Sequence, residues 1–315
     1  MRYSFRTDSI GHGRNDDHKI TDYRSIAIIA DGVGSSSNGG RAAVLACNWM
    51  YEILQVIRRR STSDRKEIRD KMLKGLHMTN DLLLRQSNGS ARDDDDISDK
   101  CNMLRNYLIQ TRQSMKEGAD GEAMIREMEY SIDLARDIED LVSRSRGDRW
   151  ATTIDACLLQ DGKAYIAHLG DSEVYHLSDV FRKVTQDQNA PSYDPASIPE
   201  HLRIVAGLQD GLSSCLGIPK ISPSIYEVEM QQGDMLFLAT DGVKKKIEQG
   251  SIEGLCRGGP DYMKGAIRSS IRSESELTDA YIEFHRLKKG SELSRSQADE
   301  KLSDYSTYIA IWRDQ

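Results

Sequence analysis

The sequence predicts an α+β protein with a layered architecture, on three observations. Short apolar runs bounded by Gly or Asp recur along the chain. Turn signals join several of them as antiparallel neighbours, and the helical segments do not alternate regularly with them. Four of these runs carry an aspartate at a strand end: IAIIADG (Asp31), AYIAHLGDS (Asp171), MLFLATDG (Asp241) and DYSTYIAIW (Asp304).

Taken in order, the first strand is expected over 24–30. A helix over 41–59 places Ala42, Ala46, Trp49, Met50, Ile53, Leu54 and Ile57 on one face, with Ser35, Ser36, Ser37 and Asn38 as its cap. A second helix over 64–85 begins at Asp64 as N-cap and runs through Ile68, Met72, Leu76 and Leu83. The acidic run Asp93–Asp96 reads as a solvated stretch, because no EF-hand spacing follows it. Beyond it, a helical region over roughly 98–145 repeats Met124, Met128, Ala135, Ile138 and Leu141 at helical spacing.

Residues 151–177 read as a hairpin: ATTIDACLL, a turn at Gln160–Lys163 whose Asp161-Gly162 pair is a strong hairpin signal, then AYIAHLGDSEVYHL. Residues 186–213 hold three of the six prolines and little periodicity, and so form a long irregular excursion. Residues 225–240 repeat the hairpin theme as IYEVEM, a turn at Gln232–Asp234 and MLFLAT, and 306–312 close the framework. With no internal repeat and no linker, one domain over 1–315 is expected.

The formal net charge of −7 is spread along the chain, which argues against a nucleic-acid partner. The opening MRYSFRTDSI lacks the apolar core of a secretory signal. No stretch approaches the roughly 18–20 apolar residues of a membrane helix, so a cytoplasmic protein with no membrane segment is expected. The five cysteines, Cys47, Cys101, Cys157, Cys215 and Cys256, are odd in number and far apart, with no C-x-x-C pair. They read as buried free thiols rather than a zinc site.

The aspartates carry the chemistry. Asp31 and Asp241 close their strands and Asp304 opens one. If the last strand is antiparallel to the other two, all three carboxylates meet at one edge of one sheet. Carboxylates that close together repel one another unless a cation lies between them. An all-oxygen donor set suits Mg²⁺ or Mn²⁺.

The order of the pieces resembles the metal-dependent protein phosphatase family, of the protein phosphatase 2C type. GRNDDHKI is similar to its N-E-D motif, with Asp16 in the Glu place and Asp17 in the Asp place. DGVGSSSNGGRAA resembles the D-G-x-G-G segment, RWATTIDACLL the G-T-T strand, and HLGDSEVYHL the G-D-S-R strand. VTQDQNAP resembles the L-T-x-D-H segment that opens the flap, ATDGV the S/T-D-G motif, and SDYSTYIAIW the closing D-N-x-T strand. A D-G pair alone is usually a turn; seven pieces in order over most of the chain are far more specific.

The resemblance implies a four-layer αββα sandwich, two antiparallel sheets flanked by antiparallel helix pairs, with metals in a cleft at one end. It implies Asp31 as bridging ligand, the Gly32 carbonyl as another, Asp241 and Asp304 on the second ion, and Asp16 or Asp17 completing the site. Asp171 matches the position of a third, weaker ion in bacterial relatives. The implied activity is hydrolysis of phosphoserine and phosphothreonine in proteins, the substrates of a Ser/Thr kinase. The resemblance further implies in-line attack on phosphorus by a metal-bridged water, and a monomer is expected. A catalytically weak relative acting as a phosphoprotein-binding module is the competing class, and a small-molecule phosphohydrolase a third.

The chain also departs from the pattern. His12 stands where the family has its phosphate-gripping Arg, and Arg14 lies only two positions before Asp16. His12 and Arg14 are therefore the candidates for phosphate contact, and His12 for the leaving-group proton, since Val33 occupies the place of the general-acid His of animal enzymes. Glu173 replaces the Arg of G-D-S-R and Tyr305 the Asn of D-N, both read as structural changes. Lys244, Lys245 and Lys246 read as a solvated face, and the stretch near 90–140 as a helical insertion covering the sheet.

Overall fold

The computed structural model describes residues 2–10, 15–34, 36–59, 64–88, 149–190, 199, 211–246, 249–258, 262, 274–289, 293–302 and 306–314. The elements expected over 98–145, Asp93–Asp96, Cys101, the insertion near 90–140, and most of 191–210 lie outside the described residues. So do His12, Arg14, Ser35, Asp304 and Tyr305, and the side chains of Lys244, Lys245 and Lys246.

The strands are β1 (Tyr3–Ile10), β2 (Asp17–Thr21), β3 (Ile26–Asp31), β4 (Ile154–Gln160), β5 (Lys163–Leu169), β6 (Glu173–Leu177), β7 (Phe181–Lys183), β8 (Asn189–Ala190), β9 (Gly211–Leu212), β10 (Ser224–Glu229), β11 (Met235–Ala239) and β12 (Ser306–Arg313). The helices are α1 (Gly39–Arg59), α2 (Arg65–Asn88), α3 (Asp241–Lys246), α4 (Gln249–Arg257), α5 (Glu274–Lys289) and α6 (Arg295–Leu302). Two five-stranded antiparallel sheets form, in the orders β1-β12-β11-β6-β7 and β10-β5-β4-β3-β2. The α+β architecture follows the sequence expectation.

Three apolar layers hold it together. Alternate residues of the two sheets meet between them: Ala27, Ile29, Cys157, Leu159 and Ile166 from one, and Phe5, Val174, Leu236, Leu238, Ile309 and Ile311 from the other. The opposite faces of β3, β4 and β5 bury Ile28, Ala156, Leu158 and Ala167 under α1 and α2, which contribute Leu45, Met50, Leu54, Ile68, Met72 and Leu76. The outer face of the other sheet buries Phe237, Tyr308 and Ala310 with Val243 of α3 and Ile252, Leu255 and Cys256 of α4. Among the described residues Cys47, Cys157, Cys215 and Cys256 are buried free thiols, and no helix is long and apolar enough to cross a membrane.

Local chemistry sets the element ends. Asp64 opens α2 as expected: its Oδ1 accepts from Lys66 N at 2.9 Å and its carbonyl accepts from Ile68 N at 3.1 Å. Asp161 and Gly162, both at positive φ (51° and 78°), make the tight β4–β5 turn that the sequence signals.

The structure corrects four readings. The stretch 164–177 is not one hairpin arm: β5 pairs with β4 in one sheet, whereas β6 pairs with β11 and β7 in the other. Residues 225–240 are not a hairpin either, because β10 pairs with β5 and β11 with β6 and β12. The turn between them ties both sheets, with Met230 N donating to Gly162 O and Gly233 N to Arg313 O. Ser36 and Ser37 do not cap α1; they bind the 149–151 segment, with Ser36 Oγ accepting from Ala151 N, while the Asn38 carbonyl starts the helix by accepting from Ala42 N. Finally, Asp31 ends a strand of one sheet, whereas Asp241 follows β11 of the other, so the carboxylates cannot share one sheet edge. The strand expected to begin at Asp304 is antiparallel to β11, but it does not pair with β3, which lies in the other sheet.

The irregular excursion is closed at its base by the β8–β9 pair, Asn189 opposite Leu212 and Ala190 opposite Gly211.

Candidate metal centre

The layer between the sheets is apolar in its middle and polar at one end, because each strand carries polar residues where its inward-facing alternation continues past the core. Asp31 continues Ala27 and Ile29, and Thr240 continues Leu236 and Leu238. Thr307 continues Ile309 and Ile311, and Ser9 continues Phe5. Antiparallel register sets Asp17 directly across from Asp31. Cross-strand Cβ atoms stand about 5 Å apart, where two unit charges repel by roughly 3 kcal/mol at an effective dielectric of 20.

A hydrogen bond crosses between the two sheets at this end. Thr240 Oγ1 donates to Asp17 Oδ2 at 3.0 Å, from the end of β11 to the start of β2. Asp17 is buried, and Asp31 and Asp241 are half-buried. Asp241, expected to close its strand, instead opens α3 one residue beyond Thr240. The Thr240–Asp17 bond and the Asp17–Asp31 register therefore set the chain ends that carry Asp17, Asp31 and Asp241 at the same end of the two sheets.

Asp31 is held from the next strand by two threonines. Thr153 N donates to Asp31 O at 2.9 Å, Asp31 N donates to Thr153 Oγ1 at 3.1 Å, and Thr152 Oγ1 donates to Asp31 O at 2.8 Å. Gly32 follows in the cleft, its N donating to Asp16 O at 3.1 Å. A Cβ on Gly32 would come within 2.3 Å of the Gly39 carbonyl carbon, so only glycine lets the strand end lie against the start of α1.

Asp16 and Asp17 divide. Asp17 faces Thr240, whereas Asp16 Oδ1 lies against Gly40 in the first turn of α1, where a carboxylate complements the positive helix end. Asp171 sits in the β5–β6 crossover, half-buried. Its neighbour Ser172 shares a 3.0 Å hydrogen bond between hydroxyls with Thr153, which places the crossover beside Asp31. Burial, and then the charge of Asp171, push the Cys215 thiol up to about 11. Val33 is fixed by its N–H, which donates to Ala151 O at 3.0 Å.

Four functional neighbours escape sequence reasoning: Thr152, Thr153, Thr240 and Thr307. All are buried, and each bonds the backbone or side chain of a site residue or of another of the four. Their signal was present, since Thr152-Thr153 and Thr240 lie inside the motifs quoted above, but hydroxyls in apolar runs read as strand propensity. A buried pair just behind the site also went unread: Asp155 and His168, cross-strand partners, bonded at 2.8 Å, with His168 Nε2 at 3.0 Å from Gln186 O. Burial favours neutral His168, but Asp155 and the hydrogen bonds outweigh it and raise its pKa. The change at Glu173 is structural: it binds Lys183 at 2.5 Å, and Tyr175 Oη donates to it.

Among the described residues no three His, Cys, Asp or Glu side chains are grouped closely enough to enclose an ion. Asp304, which the expectation adds, lies outside them. The donors present nonetheless suit a hard cation. They are carboxylates and a backbone carbonyl, with Asp17 Oδ1 and Asp241 Oδ1 each exposing less than 1 Å² to solvent.

Comparisons with known proteins converge. The sequence model for Protein phosphatase 2C matches residues 6–257. Among solved structures, the PPM Ser-Thr phosphatase MsPP from Mycobacterium smegmatis, in complex with cacodylate, is similar at 17% identity and TM-score 0.54, over 98% of this chain and 97% of that one. The Ser/Thr phosphatase Stp1 from Staphylococcus aureus is similar at 14% identity and TM-score 0.57, over 100% and 96%. PstP/Ppp of Mycobacterium tuberculosis is similar at 16% identity and TM-score 0.52, over 100% and 99%. At these identities the likeness is one of fold. No curated protein matches the sequence.

Proposed function

The chain belongs to the protein phosphatase 2C family, and from that premise we propose that it is a Mg²⁺- or Mn²⁺-dependent protein phosphatase hydrolysing phosphoserine and phosphothreonine. The observation that supports the reading is the Thr240–Asp17 hydrogen bond, which ties the residue before Asp241 to the strand that sets Asp17 across from Asp31. Opposed carboxylates there are costly alone and favourable around cations.

In this reading Asp31, Asp17 and Asp241 hold the ions with the Gly32 carbonyl, and Asp304 completes the set. Asp16, placed against α1, acts at one remove. Asp171 serves an accessory ion. The cations supply a water nucleophile at neutral pH and neutralise charge on the phosphoryl oxygens. The chain's own part is positioning. Thr152 and Thr153 fix the backbone of Asp31, and Thr240 fixes the Asp17 carboxylate, so that neither must reorganise as charge develops. His12 and Arg14 remain the proposed phosphate contacts, and the substrates are phosphoproteins of a Ser/Thr kinase.

Phosphate release from a phosphothreonine peptide tests this. Activity is expected with Mn²⁺ and is expected to vanish in EDTA. Turnover that survives EDTA contradicts the metal requirement, and phosphopeptide binding without turnover at any metal concentration favours the binding module instead.

A further inference from the structure

Lys19 lies on β2 two residues beyond Asp17, on the same inward face, half-buried at the edge where β12 approaches β2. A lysine pointing between two sheets is unusual, because its ammonium must find partners there. Its Nζ donates to Ser9 Oγ at 2.7 Å. Because that oxygen already accepts from Lys19, its own proton is free to go to Thr307 Oγ1, 3.0 Å away. Thr307 N in turn donates to Thr240 Oγ1 at 3.1 Å, and Thr240 Oγ1 donates to Asp17 Oδ2 at 3.0 Å.

With Ser9 as donor to Thr307, the series runs in one direction, from an ammonium on β2, through β1, β12 and the residue after β11, back to a carboxylate on β2. Ser9 and Thr307 are themselves cross-strand partners, so backbone register fixes the path. Burial lowers the Lys19 pKa, and Asp8 and then Asp17 are the acidic charges that oppose it.

We propose that Lys19 is the internal counter-ion of the metal centre: its positive charge, two residues from Asp17 on the same face of β2, holds the carboxylates together when no cation is bound and thereby weakens cation binding. It is a positioning residue, touching neither substrate nor the reacting atoms. Lys19 makes folding of the aspartate cluster independent of metal. It also sets the affinity low enough for occupancy to follow the free cation concentration. The inference rests on the metal-centre reading above, and deepens it.

The test is Mn²⁺ binding, measured by calorimetry and by the electron paramagnetic resonance of free Mn²⁺, on the full-length protein. Lys19→Met is expected to bind Mn²⁺ roughly three- to tenfold more tightly than wild type, since a like charge near the cation is removed. Its metal-free unfolding temperature is expected to fall, and Lys19→Arg to keep the wild-type affinity. Damage to the fold alone would weaken binding, never strengthen it. Lys19→Gln, which keeps a polar contact to Ser9, stands in if Lys19→Met does not fold, with the same expectation. A neutral variant that binds Mn²⁺ as wild type does, or more weakly, overturns the proposal. Wild-type protein that binds no Mn²⁺ overturns the metal reading itself.

Discussion

Asp241→Asn is expected to lower kcat/KM on a phosphothreonine peptide by roughly 10²–10³-fold, the scale at which removing one electrostatic contact to a reacting centre is felt. Asparagine keeps the volume and one oxygen, so it removes charge without opening a cavity. Asp241 is the first residue of α3, where either residue type suits a helix start. The unfolding temperature should therefore move little, or rise in metal-free protein because a repulsive carboxylate is gone. The paired readings, steady-state kinetics at saturating Mn²⁺ and thermal unfolding in EDTA, separate a ligand from a structural aspartate. A variant that is unstable in EDTA yet active would place Asp241 in the fold and not in the site.

Thr240→Val is expected to weaken Mn²⁺ binding by about 10–100-fold, the usual cost of removing a hydrogen bond that orients a ligand. Valine has nearly the shape of threonine, so packing against β12 persists. Asp17 Oδ2 loses its donor across the sheets, and the buried Thr307 N–H loses its acceptor. The second loss costs roughly 1–3 kcal/mol of stability. Thr240→Ser restores the hydroxyl and should recover both. The sign is opposite to that expected for Lys19→Met, although both residues belong to one hydrogen-bonded series. A common weakening in both variants would mean that the series is scaffold, without an electrostatic role.

The parts of the fold that rest on strong periodicity were legible. α1 and α2 follow from their apolar faces and from Asp64, and the β4–β5 turn from Asp161-Gly162. What failed was the assignment of strands to sheets. In 164–177 both halves are apolar, so the run looks continuous. Yet Gly170 sits at φ +119°, and a Cβ there would come within 2.7 Å of Thr153 Cβ. The chain bends at that point and passes into the other sheet. β10 and β11 mislead in the same way, because a short turn can close a hairpin or step between stacked sheets, and only long-range pairing decides. β1 and β2 were missed because SFRTDSI and DHKIT alternate polar residues with few apolar ones.

The site was legible as aspartates and not as geometry. Asp31 and Asp241 stood out because each ends an apolar run. Their union depends on Asp17 and Thr240, which sit on different sheets and 223 positions apart. Nothing local could separate Asp16 from Asp17. Strand alternation does so once β2 is known, since neighbours on an extended chain face opposite ways. Asp155 and His168 were hidden for a related reason: IDACLL reads as uniformly buried, and the inward parity that sets Asp155 beside His168 appears only when both sheets are in place.

In the proposed function the facing ends of two sheets form one cation site. Anomalous diffraction from crystals soaked in Mn²⁺ tests it most directly. The prediction is Mn²⁺ density about 2.1 Å from carboxylate oxygens of Asp31 and of Asp241, the distance typical of small oxygen-bound divalent cations. Density confined to other carboxylates, or none at these two under a large excess of Mn²⁺, would contradict it.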